Sequence, residues 1–403
     1  RDDAVGGLVG SQVSGTISNA YTTGLVSGTM NEVGGLAGNL MSGTIRNSYA
    51  TGAVSGGRSV GGLVGTTTSG TIRNSYATGA VSASNYAGGL VGNNAGTIVS
   101  SYASGAVPTG SFVGGLVGSN FGTVQTSYWD TGASGQSAAC GGGGTCVATG
   151  LLTANARTQT SYADFDFNSD WFMIDGETRP FLRNEYSTTI TNAHQLQLMA
   201  MDLTASYTLA NDIDLGSALS NPSGMWGSAG WAPVGTSTGA GSDFTGAFDG
   251  LGHTISGLTI NRAGTDFVGL FGVAGYHGGG AISNLGLVGG TVSGSTAVGS
   301  LVGRSSAPIT GVYSSVAVTG AGIYTGGLVG WNFGAITTSY TTGDVTGGLF
   351  VGGLIGSSLG GSVATSYATG TVKGSGNVGG LVGSFDIGLI RDSYATGAVR
   401  ASS

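Results

Sequence analysis

A five-residue motif, Gly-Gly-Leu-Val-Gly, returns along the chain at nearly constant spacing, and this periodicity limits the possible folds more than any other feature. Its leucine stands at Leu8, Leu36, Leu63, Leu90 and Leu116, and after a gap the series resumes at Leu270, Leu301, Leu328, Leu354 and Leu381. A second landmark, the tyrosine of Asn-Ser-Tyr-Ala-Thr-Gly, keeps the same beat at Tyr21, Tyr49, Tyr76, Tyr102 and Tyr128, then at Tyr313, Tyr340, Tyr367 and Tyr394. Two landmarks in step identify a repeat protein, in which a unit too short to bury its own core is stabilised by stacking on its neighbours.

Each unit reads as three short runs rich in β-branched residues, such as GGLVG, TIRNSYA and AVSG, separated by Gly, Asn and Ser. No window carries a helical stripe of apolar residues. The expected fold is all-β: a parallel β-helix (β-solenoid) with about three short strands per coil of ~27 residues, each pairing with its copy one coil away. Roughly 13 to 15 coils would span about 60–70 Å. A propeller is the competing repeat fold, but its blades usually use four strands and a longer repeat. The glycines are expected at the corners between faces, where positive φ is needed.

Alternation along a strand predicts which residues face the core. In AISNLGLVGG, Leu285 and Leu287 occupy the places held elsewhere by Ser48 or Ser75 and by Ala50 or Ala77. Those positions, with Ile45, Ile72 and Ile282, are therefore expected to point inward, with a bend near Asn284. The tyrosines then point outward, followed two residues on by a second outward file that includes Thr51, Thr78, Thr342 and Thr369.

Composition fits a folded, uncharged repeat. Glycine supplies 83 of 403 residues, against a typical ~7%, yet five prolines and no Gly-X-Y period exclude collagen. Charged residues make up 8% and the net charge is −7, so the concentrated cationic surface that a nucleic-acid binder needs is missing. Apolar runs are interrupted well short of a membrane-spanning length.

The repeats break between about 129 and 269. Trp129, Phe165, Phe167, Trp171, Phe172 and Phe181 follow the last regular coil, and such an aromatic stretch is expected to cap the open end of a solenoid. A short helix is expected from about Ala193 to Met201, N-capped by Thr191 or Asn192, with Leu196, Met199 and Leu203 covering the start of a second array. The expected division is a first array at 1–128, a closing cap at 129–185, an opening cap with the first irregular coils at 186–268, and a second array at 269–403. The first array is expected to open in mid-repeat at Arg1 and the second to stop in mid-pattern at Ser403, with any leader removed or outside the segment, as in a piece of a longer parent.

The quoted motifs resemble a known family. VGGLVG with GTIRNSYATGAVSG is similar to the GLUG repeat, YTLANDIDL…WAPVG…FTGAFDGLGHTISGLTI to the segment that opens such arrays, and SYWDTGASGQ…DFDFNSDWFMIDGETRPFL to the one that closes them. The resemblance implies a secreted bacterial surface setting, either in filamentous-haemagglutinin-like adhesins exported by two-partner secretion or beside the catalytic domain of IgA-specific metallopeptidases. It implies as partners a surface or matrix polysaccharide, copies of the chain on neighbouring cells, and an outer-membrane transporter during export. Cys140 and Cys146 are close enough to bridge a small loop, and lack the second Cys/His pair of a zinc site. The implied secreted setting favours a disulfide.

Candidate chemistry is sparse. His194, His253 and His277 are not paired as a zinc peptidase requires, and no cofactor motif is present. Asp164 and Asp166 in DFDFNSD, with Asp212 and Asp214 in NDIDLG, are weak calcium candidates through hard oxygen ligands. Two carboxylates on a cleft wall would be needed for glycoside hydrolysis, but acids of this kind more often cap turns. The exposed threonines suggest an ice-binding face, which the bulky tyrosines beside them would spoil. The tyrosine file, Tyr49, Tyr76, Tyr102, Tyr340, Tyr367 and Tyr394, is the remaining contact candidate: stacked rings could bind sugars or a second solenoid, or merely pack on one another. The expected function is a non-enzymatic structural segment of an adhesin. A carbohydrate- or matrix-binding module and an accessory domain of a surface peptidase are the alternatives.

Overall fold

A computed structural model of the chain describes residues 4–29, 31–221, 224–237, 239 and 241–401. Arg1 and Ser403, where the arrays are expected to begin and stop in mid-pattern, lie outside the described residues. Two compact units are present, one formed by Arg1–Glu185 with Ser223–Gly227 and the other by Tyr186–Pro222 with Ser228–Ser403. Each is a parallel β-solenoid, and its helices are short.

The first unit winds through three parallel sheets. One holds Val9–Gln12, Ala37–Leu40, Val64–Thr67, Val91–Asn94 and Val117–Asn120 as neighbours. A second contains Thr44–Ala50 beside Thr71–Ala77, and a third Val54–Gly61 beside Val81–Gly88. Like residues pair from coil to coil: Ile45 with Ile72, Tyr49 with Tyr76, and Val54 with Val81. The ladder continues through the corners, where the amides of Leu36, Leu63 and Leu90 donate to the carbonyls of Leu63, Leu90 and Leu116 at 2.8–2.9 Å.

Strand alternation sends one residue type into each interior column. Leu36, Leu63, Leu90 and Leu116 form one, Ile45, Ile72 and Ile98 a second, and Ala50, Ala77 and Ala103 a third, all buried. Each leucine contributes about 1.5–3 kcal/mol by leaving water. A separate cluster of valines, among them Val33, Val54, Val60 and Val81, fills the side of the coil next to the third sheet.

Ser48, Ser75 and Ser101 are also buried, as the alternation implies, and they carry the ladder past a bend. Asn47 and Asn74 sit at φ 50° and 45°, which turns the strand. There the Ser48 and Ser75 amides donate to the hydroxyls of Ser75 and Ser101 in the next coil, while Ser48 and Ser75 donate to the Arg46 and Arg73 carbonyls. A small residue that both donates and accepts satisfies buried backbone groups that an alanine would leave unpaired.

The glycines meet the expectation only in part. Gly15 and Gly43 sit at φ 85° and 88°, but two other rows of left-handed corners belong to non-glycine residues, Asn19, Asn47, Asn74, Ser100 and Thr126 in one and Glu32, Ser59, Tyr86 and Phe112 in the other. Glycines of the repeated motif such as Gly61 and Gly62 have no positive φ; a Cβ on Gly61 would collide with the Val64 carbonyl oxygen and one on Gly62 with the Gly89 carbonyl. Close approach of the backbone at the inner turn, not backbone conformation, is what demands glycine there.

The second unit stacks five strands in one sheet, from Phe271–Ala274 to Val382–Phe385, and eight in another, from Thr189–Ile190 to Ile390–Arg391. Near its start the helix Ala193–Gln197 continues as the 3-10 turn Leu198–Met201. Asn192 is its N-cap, accepting from the Gln195 amide at 3.0 Å; Leu196 and Met199 are buried and Leu203 half-buried. Asn284 bends the chain at φ 52°, and Leu285 and Leu287 face the core.

These two glycine environments are separable. Gly62→Ala is expected to destabilise the first unit by roughly 2 kcal/mol or more, as overpacking against backbone does. Gly24→Ala, with open space around its Cβ, is expected to stay within about 0.5 kcal/mol. Urea denaturation measures both, and equal effects would refute the packing role.

Candidate functional site

The tyrosine position follows Ser75 and precedes Ala77 on a strand whose neighbours face inward, so its ring leaves the coil. In the first unit Tyr21, Tyr49, Tyr76 and Tyr102 stack with centroids 4.9–5.1 Å apart and planes within 6° of parallel. Rings stacked in this way use their faces on one another and turn edges and hydroxyls away from the coil.

In this unit the outward file is nonetheless inaccessible beyond Tyr21, which is exposed at its start. Tyr49, Tyr76 and Tyr102 are buried, at 4%, 0% and 1% exposure, which excludes them as ligand contacts in this conformation. The cover is the aromatic segment that was expected to close the end of the solenoid. Trp171 lies 6.2 and 5.8 Å from the Tyr76 and Tyr102 rings, Phe165 meets Tyr128 edge-on at 5.0 Å, and Phe165 and Trp171 stack at 4.3 Å. Three of the covered hydroxyls find acceptors: Tyr76 donates to Glu185 at 2.9 Å, Tyr102 to the Pro180 carbonyl at 2.7 Å, and Tyr128 to Asp164 at 3.0 Å. The segment thus runs along the flank, because a row of apolar ring edges tipped with donors needs both cover and acceptors.

The end of the first array is closed by the earlier part of the expected cap, 129–151. Cys140 and Gly143 bridge to Val117 and Asn120, and Ala148–Leu151 pairs with Ser127–Asp130, adding one irregular coil. Cys140 and Cys146 form a disulfide with Cα atoms 6.2 Å apart. Trp129 takes the inward column of Ala50, Ala77 and Ala103, so a wide ring fills the last layer.

A buried ion pair holds the covering segment in place. Arg179 donates to Asp130 at 2.6 Å, both side chains being 1% exposed, and also to the Gly224 carbonyl. Asp130 in turn caps the helix Thr131–Ser134 and accepts from Thr153. Neither this pair nor Glu185 stands out in the sequence, since each is an isolated charge in an irregular stretch.

The second unit presents the same file with no cover among the described residues. Tyr313, Tyr340, Tyr367 and Tyr394 stack at 4.6–5.3 Å with planes within 8°. The first three are half-buried and Tyr394 is exposed. Their hydroxyls have no hydrogen-bond partner among the described residues, and the rings' aromatic neighbours are one another. Thr342 and Thr369 line the same side, exposed, whereas Thr78 of the first unit is buried.

The four candidate calcium ligands are not brought together. Asp164 accepts from Tyr128, Asp166 from the Asn168 and Ser169 amides, Asp212 from Thr254 and His253, and Asp214 caps the helix Leu215–Leu219. Among the described residues no group of three or more His, Cys, Asp or Glu could hold a metal ion. The Ser169 hydroxyl and neighbouring amides hold Asp166 below the usual carboxylate range, and the Thr254 amide does the same for Asp212.

One cluster in the second unit was not anticipated. Arg304 lies 3.8 Å from the Tyr276 ring centre, 4.8 Å from Trp331 and 5.0 Å from Phe333. Tyr276 also contacts His277, whose Nδ1 is 2.7 Å from the buried Asp243 carboxylate. The repeat register placed Arg304 beside Trp331, but Tyr276 and His277 come from a loop outside the repeat.

Two predictions address the cover. Arg179→Met leaves the Asp130 carboxylate buried without its cation and is expected to cost about 3–5 kcal/mol. The double variant Arg179→Met/Asp130→Asn should lose less, and chemical denaturation reads the difference. Alkaline pH is the second lever. Burial, then the Glu185 carboxylate, pushes the Tyr49 and Tyr76 hydroxyls well up, and burial followed by Tyr162 does so for Tyr102. The folded unit therefore keeps protons that the unfolded chain releases near pH ~10. Stability is full below that pH and falls above it, by about 1.4 kcal/mol per pH unit for each withheld proton. A denaturation midpoint that stays flat from about pH 9 to 12 would contradict this.

Comparison with known proteins matches the GLUG motif at residues 31–55 and 56–82. Over 116 residues, 28% of this chain, the sequence is 37% identical to Halomucin of Haloquadratum walsbyi, and the match spans 1% of that protein. Over 101 residues, 24% of the chain, it is 40% identical to a protein described as "Putative Gly-rich membrane protein" of Evansella cellulosilytica, spanning 10% of it. A crystal structure described as a putative immunoglobulin A1 protease from Bacteroides ovatus aligns at TM-score 0.43 and 24% identity, over 52% of this chain and 66% of that one; so distant a likeness carries no argument. With its paired strands and repeated motif, the chain is a parallel β-solenoid that carries GLUG repeats.

Proposed function

We propose that the chain is a non-catalytic structural segment of a cell-surface or secreted protein, one that holds binding elements away from the surface to which the protein is attached. The observation that carries this reading is the in-register ladder within each unit. Each coil donates backbone hydrogen bonds to the next, and the columns of like residues change little between coils. Such an array adds length without adding chemistry, and a charge content of 8% leaves few ion pairs for salt to screen. The GLUG motifs and relatives named as a halomucin and a membrane protein support the surface setting. The finer reading, an adhesin exported by two-partner secretion for cell–cell or biofilm adhesion, rests on the family resemblance alone.

The carbohydrate reading of the tyrosine file loses its main support. A sugar ring stacks on an aromatic face, and these faces are taken up by neighbouring tyrosines.

A display assay tests the spacer role. An epitope fused to the full chain on the surface of an encapsulated cell is expected to be reached by antibody through the capsule. The same epitope on the bare anchor should remain masked. Equal detection of the two would overturn the proposal.

A further inference from the structure

The same outward tyrosine ladder exists twice in this molecule, covered in one unit and bare in the other. The covered copy shows what such a ladder takes. Residues 162–185 supply ring contacts through Phe165 and Trp171, and acceptors through Asp164, the Pro180 carbonyl and Glu185, one each for Tyr128, Tyr102 and Tyr76. The segment holds six carboxylates and two arginines, so it is also acidic.

The bare ladder of the second unit offers the complementary features. Its rings repeat every 4.6–5.3 Å, and their edges and hydroxyls have no aromatic or hydrogen-bonding partner outside the file among the described residues. On the same sheet, Lys373 and Arg400 pair in register and are both exposed, and neither forms an ion pair among the described residues. The corresponding positions of the first unit are Ser55 and Ser82. The covered ladder nonetheless has basic residues in register beside it, Arg46 and Arg73, so a basic margin is common to both ladders.

We propose that the Tyr313–Tyr340–Tyr367–Tyr394 ladder is a docking surface for an acidic, aromatic polypeptide segment of a partner protein, with the chemistry of residues 162–185. The partner's rings lie against the tyrosine edges, its carboxylates or carbonyls accept from the hydroxyls, and its acidic character faces Lys373 and Arg400. This inference does not depend on the spacer role, since a spacer with no partner and a docking module that adds no reach are both possible.

The test titrates a dye-labelled peptide of residues 161–186 against the full 403-residue chain, read by fluorescence anisotropy. Saturable binding is expected, weakened about tenfold by Tyr340→Ala/Tyr367→Ala, which removes two ring edges. Tyr340→Phe/Tyr367→Phe keeps the rings and is expected to lose less. Lys373→Ala/Arg400→Ala should weaken binding and flatten its salt dependence. Tyr76→Phe, at the ladder already covered, should leave binding unchanged. Circular dichroism and thermal melting establish that each variant is folded. Three results would overturn the proposal: no saturable binding up to the solubility limit of the peptide, binding indifferent to the Tyr340/Tyr367 variants, or displacement of the peptide by a neutral polysaccharide, which would assign the ladder to sugars instead.

Discussion

Everything in these units depends on one coil lying on the next in register. A coil of mostly 26 to 28 residues brings each backbone group opposite its counterpart, so Leu63 donates to Leu90 as Leu36 donates to Leu63. Parallel pairing at about 4.8 Å then forces like residues into columns. Interior columns are filled mostly by residues that stack on their like: leucine, isoleucine, valine, alanine, and serine where the ladder needs a substitute acceptor. The glycines of the inner turn answer the same demand, since the backbones of successive turns approach too closely there for a Cβ.

Stacking also dictates what the outside can offer. A tyrosine repeated in register becomes a ladder whose faces are internal to the file, which leaves edges and hydroxyls for anything that approaches. This surface is apolar at its margin yet carries a donor at every step, and its cover must match both properties. The segment at 162–185 does so with Phe165 and Trp171 for the edges and Glu185 for the hydroxyl of Tyr76. Arg179 and Asp130 pin that segment to the last coil, so the burial of the ladder and the buried ion pair form one arrangement.

Much of this was legible from the residues. The recurrence of Leu63 and Tyr76 fixed the coil length, alternation placed Ser75 and Ala77 inside with Tyr76 outside, and Asn192 before Ala193 marked the helix start. Two readings went astray for physical reasons. Glycine was assigned to all the corners because positive φ is its usual use, which holds at Gly15 and Gly43, but asparagine, serine, threonine and even Tyr86 and Phe112 occupy that region elsewhere, where the ladder holds them. The aromatic segment was assigned as a whole to the solenoid's end because ends need cover, but of its rings Trp129 fills the last layer of the core while Phe165 and Trp171 lie against the tyrosine flank.

What the sequence determined by itself is local and periodic: strand, turn, facing direction and register, all of which repeat every coil and are read from any one of them. What only the tertiary structure decided is which of two chemically similar ladders is buried. Outward facing is a property of a strand and its neighbours, but burial of Tyr76 depends on Glu185, 109 residues further along the chain. No periodic signal spans that distance. The second unit repeats the tyrosines without a described segment over them, and positions that are buried under cover in one unit are half-buried or exposed in the other.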